Sequence, residues 1–325
     1  MADLDEAVSK AMAIAPPMPA IQVSGARLIA RQWWGALATI LLPTVFTAIA
    51  ISLAMQRGVH RSAIVAWLIM HFATVLGITV GYHRLAAHRA FEAVRPVDAA
   101  LLILGGLAAE GPVVHWVSNH RRHHQFSDEP LDVHSPHRFG SSWYQLARGF
   151  WHAHIGWMFQ DSMTNSMRYS RDLLRDPRIM QINRLYLAWV ALGFLIPAAV
   201  IGSVEQSWSG AVDGLLWGGF VRVFTVHHVT WAINSLTHLH GRRPYATGDH
   251  SANVAWLALP SAGESWHNCH HAFPGSARLG LEWWQFDLGY MVIWSLQKLR
   301  LVSNVNVPSA STIARARRND PRPLA

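Results

Sequence analysis

Long apolar runs separated by polar loops give the first division of the chain. From Trp33 to Met55 the sequence is almost free of charge and long enough to cross the hydrocarbon core of a bilayer as a helix. After Arg57 and Arg61 a second run covers about Ser62 to Tyr82 and ends directly at His83. Gly77 and Gly81 near its end suit close helix packing. A third run extends from Leu185 to Ile201 and a fourth from about Leu215 to Ile233. The fourth carries Arg222, His227 and His228, which face either a bundle interior or an interface; packing against neighbouring helices is the plainer reading. Val97 to Ala109 is apolar but short, in the range of a re-entrant or interfacial segment. The pattern predicts an all-α integral membrane fold with four transmembrane helices.

The ends read differently. Residues 1–30 hold Asp3, Asp5 and Glu6, then Pro16, Pro17 and Pro19, with no basic stretch leading into an apolar core. That is a flexible leader and not a secretory signal. The membrane domain is then residues 31–307. Near its end, Trp283, Trp284, Phe286 and Tyr290 precede an apolar run to Leu301, which reads as an amphipathic helix on the membrane or on the polar domain. Residues 308–325, with Arg315, Arg317 and Arg318, read as a basic disordered tail.

Composition supports the membrane reading: 51% of residues are hydrophobic, 14% are charged and 16 are Trp. The single Cys269 excludes an intrachain disulfide and any multi-thiolate zinc or iron–sulfur site. A net charge of +8 raises the question of nucleic acid, but the Arg residues are spread through polar loops and no nucleic-acid motif accompanies them. Anionic lipid headgroups or acidic acyl carriers are the better partners. Twelve Arg and no Lys lie between His83 and the third run, whereas the loops on the other side carry Arg57 and Arg61. The positive-inside rule then places both termini and the polar domain in the cytoplasm, which for a bacterial protein means the inner membrane.

The polar segments carry the chemistry. They contain HRLAAH (His83, His88), HRRHH (His120, His123, His124), NSLTH (Asn234, His238) and HNCHH (His267, His270, His271). On an α-helix, positions i, i+3 and i+4 share a face, so each HxxHH can aim three imidazoles at one point. His83 and His88 are i, i+5, about 140° apart at 3.6 residues per turn, and cannot both sit centrally on one face. That suits two metals better than one. A lone His is usually an ordinary polar residue; nine at ligand spacing read as a metal site. If Val97–Ala109 crossed the membrane, the first two clusters would lie on opposite sides, so the chemistry also favours four spans.

Carboxylates near the clusters are few: Asp128, Asp132 and Glu264. A mostly imidazole donor set suits zinc, copper, iron or nickel, and nine His are too many for one tetrahedral zinc. Two metals at the mouth of a lipid-embedded bundle point to oxygen chemistry on an apolar substrate, where a pair of irons can store and deliver electrons. Asp132 and Glu264 are candidates to hydrogen-bond the far nitrogens of ligating imidazoles, against the plainer reading of solvated loop carboxylates.

The order HxxxxH, HxxHH, NxxxH, HxxHH between apolar runs resembles the integral-membrane fatty acyl desaturases, the stearoyl-CoA desaturase-like group. GITVGYHRLAAHRAF, HRRHHQFSD, WAINSLTHLHGRRPY and GESWHNCHHAFP carry the likeness, which covers roughly Trp33 to Val305. It implies two non-haem irons held in a cytoplasmic helical cap by His83, His88, His120, His123, His124, His238, His267, His270 and His271, with Asn234 reaching one iron through a water. The implied reaction inserts a cis double bond, at the delta-9 position, into a saturated acyl chain. O2 is reduced to water, with two electrons from a cytochrome b5-like or ferredoxin-like carrier and its reductase. Acyl-CoA members carry Arg-Asp before the first His of the second box, where this chain has Ser118 and Asn119. WVSNHRRHHQFSD is closer to the bacterial, cyanobacterial and plant acyl-lipid branch, which puts CoA in doubt. Asn119, Arg121 and Arg122 are candidates for the substrate headgroup, CoA- or lipid-linked. The alternatives are a related di-iron lipid or alkane hydroxylase and a non-enzymatic membrane metal or haem protein. The latter fits less well, because the His cluster at the ends of the apolar runs and do not line them.

Overall fold

A computed structural model of the chain describes residues 20–317. Helix α1 (Ala26–Arg57) contains the first apolar run. It starts several residues before Trp33, because Gln22–Val23 pairs antiparallel with Met163–Thr164 and fixes the entry to the helix. The leader therefore has no flexible segment at residues 20–30; its earlier part lies outside the described residues. Helix α2 (Arg61–Leu76) continues unbroken into a π-helix, Gly77–Ala87. Helix α3 (Arg95–Leu107) is the short apolar run, 13 residues and too short to span. It crosses the π segment at glycines: a Cβ on Gly77 would land on the backbone N of Gly105, and one on Gly81 would lie 2.5 Å from the Leu101 carbonyl oxygen.

Three helices are long and apolar enough to cross a membrane: Ala26–Arg57, Arg61–Ala87 and Tyr186–Glu205, the last of which is labelled α6 below. The fourth run is continuous helix: α7 (Trp208–Asp213), a π segment (Gly214–Val221) and α8 (Arg222–Ser235). Its polar residues keep it out of those three. Arg222 is fully buried and donates to the carbonyls of Leu107 (2.5 Å), Gly193 (2.8 Å) and Gly218 (3.3 Å). His227 Nε2 lies 3.0 Å from the Ala108 carbonyl. These side chains face the bundle interior, where each polar head meets backbone carbonyls: those of Leu107 and Ala108 at the end of α3, that of Gly193 four residues before Pro197 in α6, and that of Gly218 in the π segment.

The polar domain is built from α4 (Val113–Phe126), α5 (Trp143–His154), α9 (His267–Ala272), α10 (Leu288–Lys298) and α11 (Ala310–Ala316). A core around Tyr82, Leu102, Val113, Val117 and Val226 joins it to the spans. Amphipathic α10 buries Ile293 and exposes Met291 and Trp294. The tail departs from its disordered expectation over residues 308–317. Ser309 caps α11 by accepting from the Thr312 N–H, Ile313 and Ala316 pack on the cluster around Tyr245 and Trp266, and Arg317 pairs with Glu282. The rest of the tail lies outside the described residues.

Candidate metal centre

The π-helix decides how the first His pair is presented. In an α-helix residues five apart diverge, but an i→i+5 hydrogen bond stacks them. The His88 N–H donates to the His83 carbonyl at 3.0 Å, and the two rings lie 4.9 Å apart. His83 and His88 thus serve one position, not two, correcting the α-helical expectation.

The HxxHH boxes are also rearranged. Nitrogens of His83, His88, His120, His124 and His270 lie within 4.8 Å of one another, and so do those of His123, His238, His267 and His271. Each box is divided: its i and i+4 members join one group while the i+3 member crosses to the other. The i and i+4 residues of α4 serve the first group, and those of α9 the second. The two short helices face each other with their roles exchanged. A single point for all three imidazoles of one box was the wrong expectation, because i+3 and i+4 diverge by about 100° around the axis.

Helix α9 has only six residues and is held from outside. The Asn253 side-chain oxygen accepts from the N–H groups of Asn268 (2.9 Å) and Cys269 (3.2 Å), and Asn268 in turn accepts from the Tyr245 N–H (2.8 Å). Burial pushes the Cys269 thiol to about 12, and it belongs to neither group.

Four carboxylates brace the imidazoles from behind. Asp132 oxygens lie 2.9 and 3.0 Å from His123 Nδ1, Asp128 Oδ2 2.9 Å from His238 Nδ1, Asp249 Oδ2 2.6 Å from His271 Nδ1 and Glu264 Oε2 2.6 Å from His83 Nδ1. Burial alone would raise the Asp132 carboxyl, but the His123 imidazole opposes it and holds the group at about 2. The Asp128, Asp249 and Glu264 carboxyls are likewise held below their ordinary values, burial being outweighed by His238, His271 and His83 respectively. A carboxylate on Nδ1 fixes the proton there and leaves a lone pair on Nε2. Asp132 and Glu264 stand where the sequence places them. Asp249 carried no signal, and Asp128 was counted as a nearby carboxylate without a role. Only the fold brings the Thr247–Ser251 turn against His271. His134 also packs on His123, at 4.5 Å between ring centres, with its N–H on Asp132.

The donor set fits metal cations. His123 and His271 both have Nδ1 on a carboxylate, yet their Nε2 atoms face each other at 3.3 Å. Two opposed lone pairs repel unless a cation lies between them. The remaining Nε2 contacts are as close: His88 to His120 and His124 to His270 at 2.7 Å, and His83 to His270, His238 to His267 and His267 to His271 at 3.0 Å.

A narrow cavity opens against both groups between α2 and α8. Val75, Ile78, Trp116, Val229 and Ile233 form its apolar wall, and His120, His267, Glu264 and Asn234 its polar end. About 40 Å³ is open to the centre of a water-sized sphere, room for roughly three waters. Asn234 lines the same cavity as His120 of the first group and His267 of the second. Trp116 stacks on His120 at 5.1 Å and donates to Glu110 Oε2 at 3.1 Å; burial raises the Glu110 carboxyl to about 7.

The proposed headgroup residues are placed otherwise. Arg121 donates to the carbonyls of Ala86, Ala87 and Tyr169 and to Asp172. Arg122 is 2% exposed and donates to the Leu131 carbonyl and Thr164. Asn119 is buried against His115. All three side chains bind other parts of the chain, and Asn119 and Arg122 also line a small second cavity with His115 and Gln160.

Comparison with known proteins bears on this arrangement. The family model described as fatty acid desaturase matches residues 60–295. A hex-5-enoyl-acyl-carrier-protein acetylenase of Moorena producens is 46% identical over 275 residues, 84% of this chain and 86% of its own length. The sn-1 stearoyl-lipid 9-desaturase of Anabaena variabilis is 39% identical over 246 residues, 75% of this chain and 83% of the relative. Delta-9 acyl-lipid desaturase 1 of Arabidopsis thaliana is 39% identical over 249 residues, 75% of each.

Proposed function

The chain belongs to the fatty acid desaturase family, and from that premise we propose that it inserts a cis double bond, at the delta-9 position, into a saturated lipid-linked acyl chain. The observation that carries the reading is the pair of His groups at the polar end of an apolar cavity. His83, His88, His120, His124 and His270 would hold one iron and His123, His238, His267 and His271 the other, and Asn234 would reach one of them through a water. Two irons held there supply O2 activation and removal of hydrogen from carbon. The remaining work falls to the chain. The four carboxylates keep Nε2 lone pairs aimed inward, Val75, Ile78, Val229 and Ile233 exclude water along the acyl chain, and Trp116 forms the wall beside His120.

In this reading Trp208–Ser235 is the fourth span, the His groups and both termini are cytoplasmic, and a cytochrome b5-like or ferredoxin-like carrier brings two electrons. Supporting this topology, twelve Arg and no Lys occur between His83 and the third span, in the segment that carries the second His box. One observation favours a second reading. The relative at 46% identity is named for an acyl-carrier-protein-linked chain that already holds a double bond, so such a chain and a triple-bond product are the alternative. The test expresses the protein beside its His270→Ala variant and analyses host fatty acids with dimethyl disulfide adducts. A new delta-9 monoene in the wild type alone is expected; an acetylenic product supports the second reading. A hydroxylated product, or identical profiles in a host supplied with donor and reductase, refutes the proposal.

A further inference from the structure

The second His group reaches toward solvent through two neighbouring residues, His137 and His250. His250 is exposed, and its ring stacks on that of His137 at 4.0 Å between centres with 27° between planes. His137 Nε2 lies 2.7 Å from the carbonyl oxygen of His238. The His250 N–H also donates to Asp128 Oδ2 at 2.8 Å, and the same oxygen lies 2.9 Å from His238 Nδ1. Two short connections thus link the exposed His250 to His238, one through the ring stack and the His137 hydrogen bond, the other through the His250 backbone N–H and Asp128. On the cavity side the first group meets Trp116, whose ring contacts His83 and His120 and is itself backed by Tyr82.

Exposed charge around this exit is mainly basic. Arg138, next to His137, is exposed, as are Arg242 and His240 on the neighbouring loop. Arg243 Nη2 donates to the Asp249 carbonyl, tying that loop to the His250 turn. Of the acids of the same region, Asp128 and Asp249 turn inward onto His238 and His271, and Glu129 is exposed. Outward the face is mainly basic, which draws an acidic partner and speeds its encounter.

We propose that this face, centred on the His137–His250 stack and flanked by Arg138 and Arg242, is the docking surface for a small acidic one-electron carrier protein and the point where electrons enter. The inference rests on the desaturase reading. Forming a C=C bond releases two electrons and two protons, while reducing O2 to two waters takes four electrons and four protons. The carrier supplies the other two electrons, one at a time, and solvent the other two protons. Entry through His238 delivers them to the second group.

The test uses the purified full-length protein in detergent, with a plant-type ferredoxin and a soluble cytochrome b5 as probes and iron content measured in parallel. Arg138→Glu with Arg242→Glu is expected to weaken binding of the carrier about tenfold or more at low salt, the difference closing at high salt. His137→Phe keeps a ring in the stack but loses the contact to His238. It is expected to slow reduction by bound carrier several-fold while leaving iron content and reduction by dithionite unchanged. Binding of one probe alone identifies the carrier class and supports the surface. Unchanged affinity in the double Arg variant, or no binding of either probe to the wild type, overturns it. If the carrier binds with the expected salt dependence but the protein holds no iron, the desaturase reading falls and the docking surface stands.

Discussion

Replacing Asp249 with Asn tests how the second His group is kept ready for metal. Asp249 Oδ2 lies 2.6 Å from His271 Nδ1, and Oδ1 accepts from the Ser251 N–H (3.0 Å) and hydroxyl (2.5 Å). Asn fits the same space but offers an NH2 group in place of one carboxylate oxygen. With that NH2 toward His271, the ring must accept at Nδ1 and carry its proton on Nε2, the nitrogen facing His267 and His123. A protonated Nε2 cannot ligate. Loss of such an outer carboxylate costs 10- to 100-fold in metal affinity, which is about 1.4–2.7 kcal/mol. The assay measures iron remaining on the protein after equilibration with increasing chelator. Half-removal is expected at a correspondingly lower chelator concentration in Asp249→Asn, with circular dichroism unchanged. Asp98→Asn, on α3 beside Arg178, should behave as wild type. Iron retention in Asp249→Asn equal to wild type refutes the bracing role.

His270→Ala removes a nitrogen that contacts both His83 and His124, so roughly half of the bound iron should be lost by elemental analysis, the second group keeping its metal. Gly81→Val drives a side chain into the Leu101 carbonyl and should lower stability by about 1–3 kcal/mol in detergent unfolding. Burial, and next the neighbouring His228, lower His154 to about 4, while the Trp231 backbone pulls slightly the other way. A base depressed below its unfolded value of 6.5 stabilises the fold fully above pH 6.5 and loses that contribution as pH falls toward 4. His154→Gln should therefore reduce the drop in Tm between pH 7 and 5.

The sequence shows which residues gather at the site, but not how they divide. Hydropathy found three spans within a few residues of their ends, since transfer of apolar side chains to lipid is local and additive along the chain. The fourth run is less clear for the same reason: Arg222, His227 and His228 are polar in composition, and their partners come from the fold, Arg222 and His227 bonding carbonyls at the end of α3, in α6 and in the π segment, and His228 meeting His154. The π-helix escaped notice because its cause is tertiary, the close approach of α3 at Gly77 and Gly81. With it went the correct pairing of His83 with His88. Asp132 was readable because it follows His123 closely in a short turn. Asp249 was not, as its partner His271 lies across a long loop. The order of residues 308–317 depends on contacts to Glu282 and the Tyr245 cluster, which local composition does not show.

The central claim is that two groups of imidazoles each hold one iron, in different surroundings. Elemental analysis with Mössbauer spectroscopy of protein expressed with iron-57 tests it most directly. Two irons per chain with two distinguishable signals are the outcome expected from a five-His group beside a four-His group, with Asn234 reaching one of the irons through a water. An iron-free protein, or visible absorbance from haem in place of non-haem iron, would contradict it.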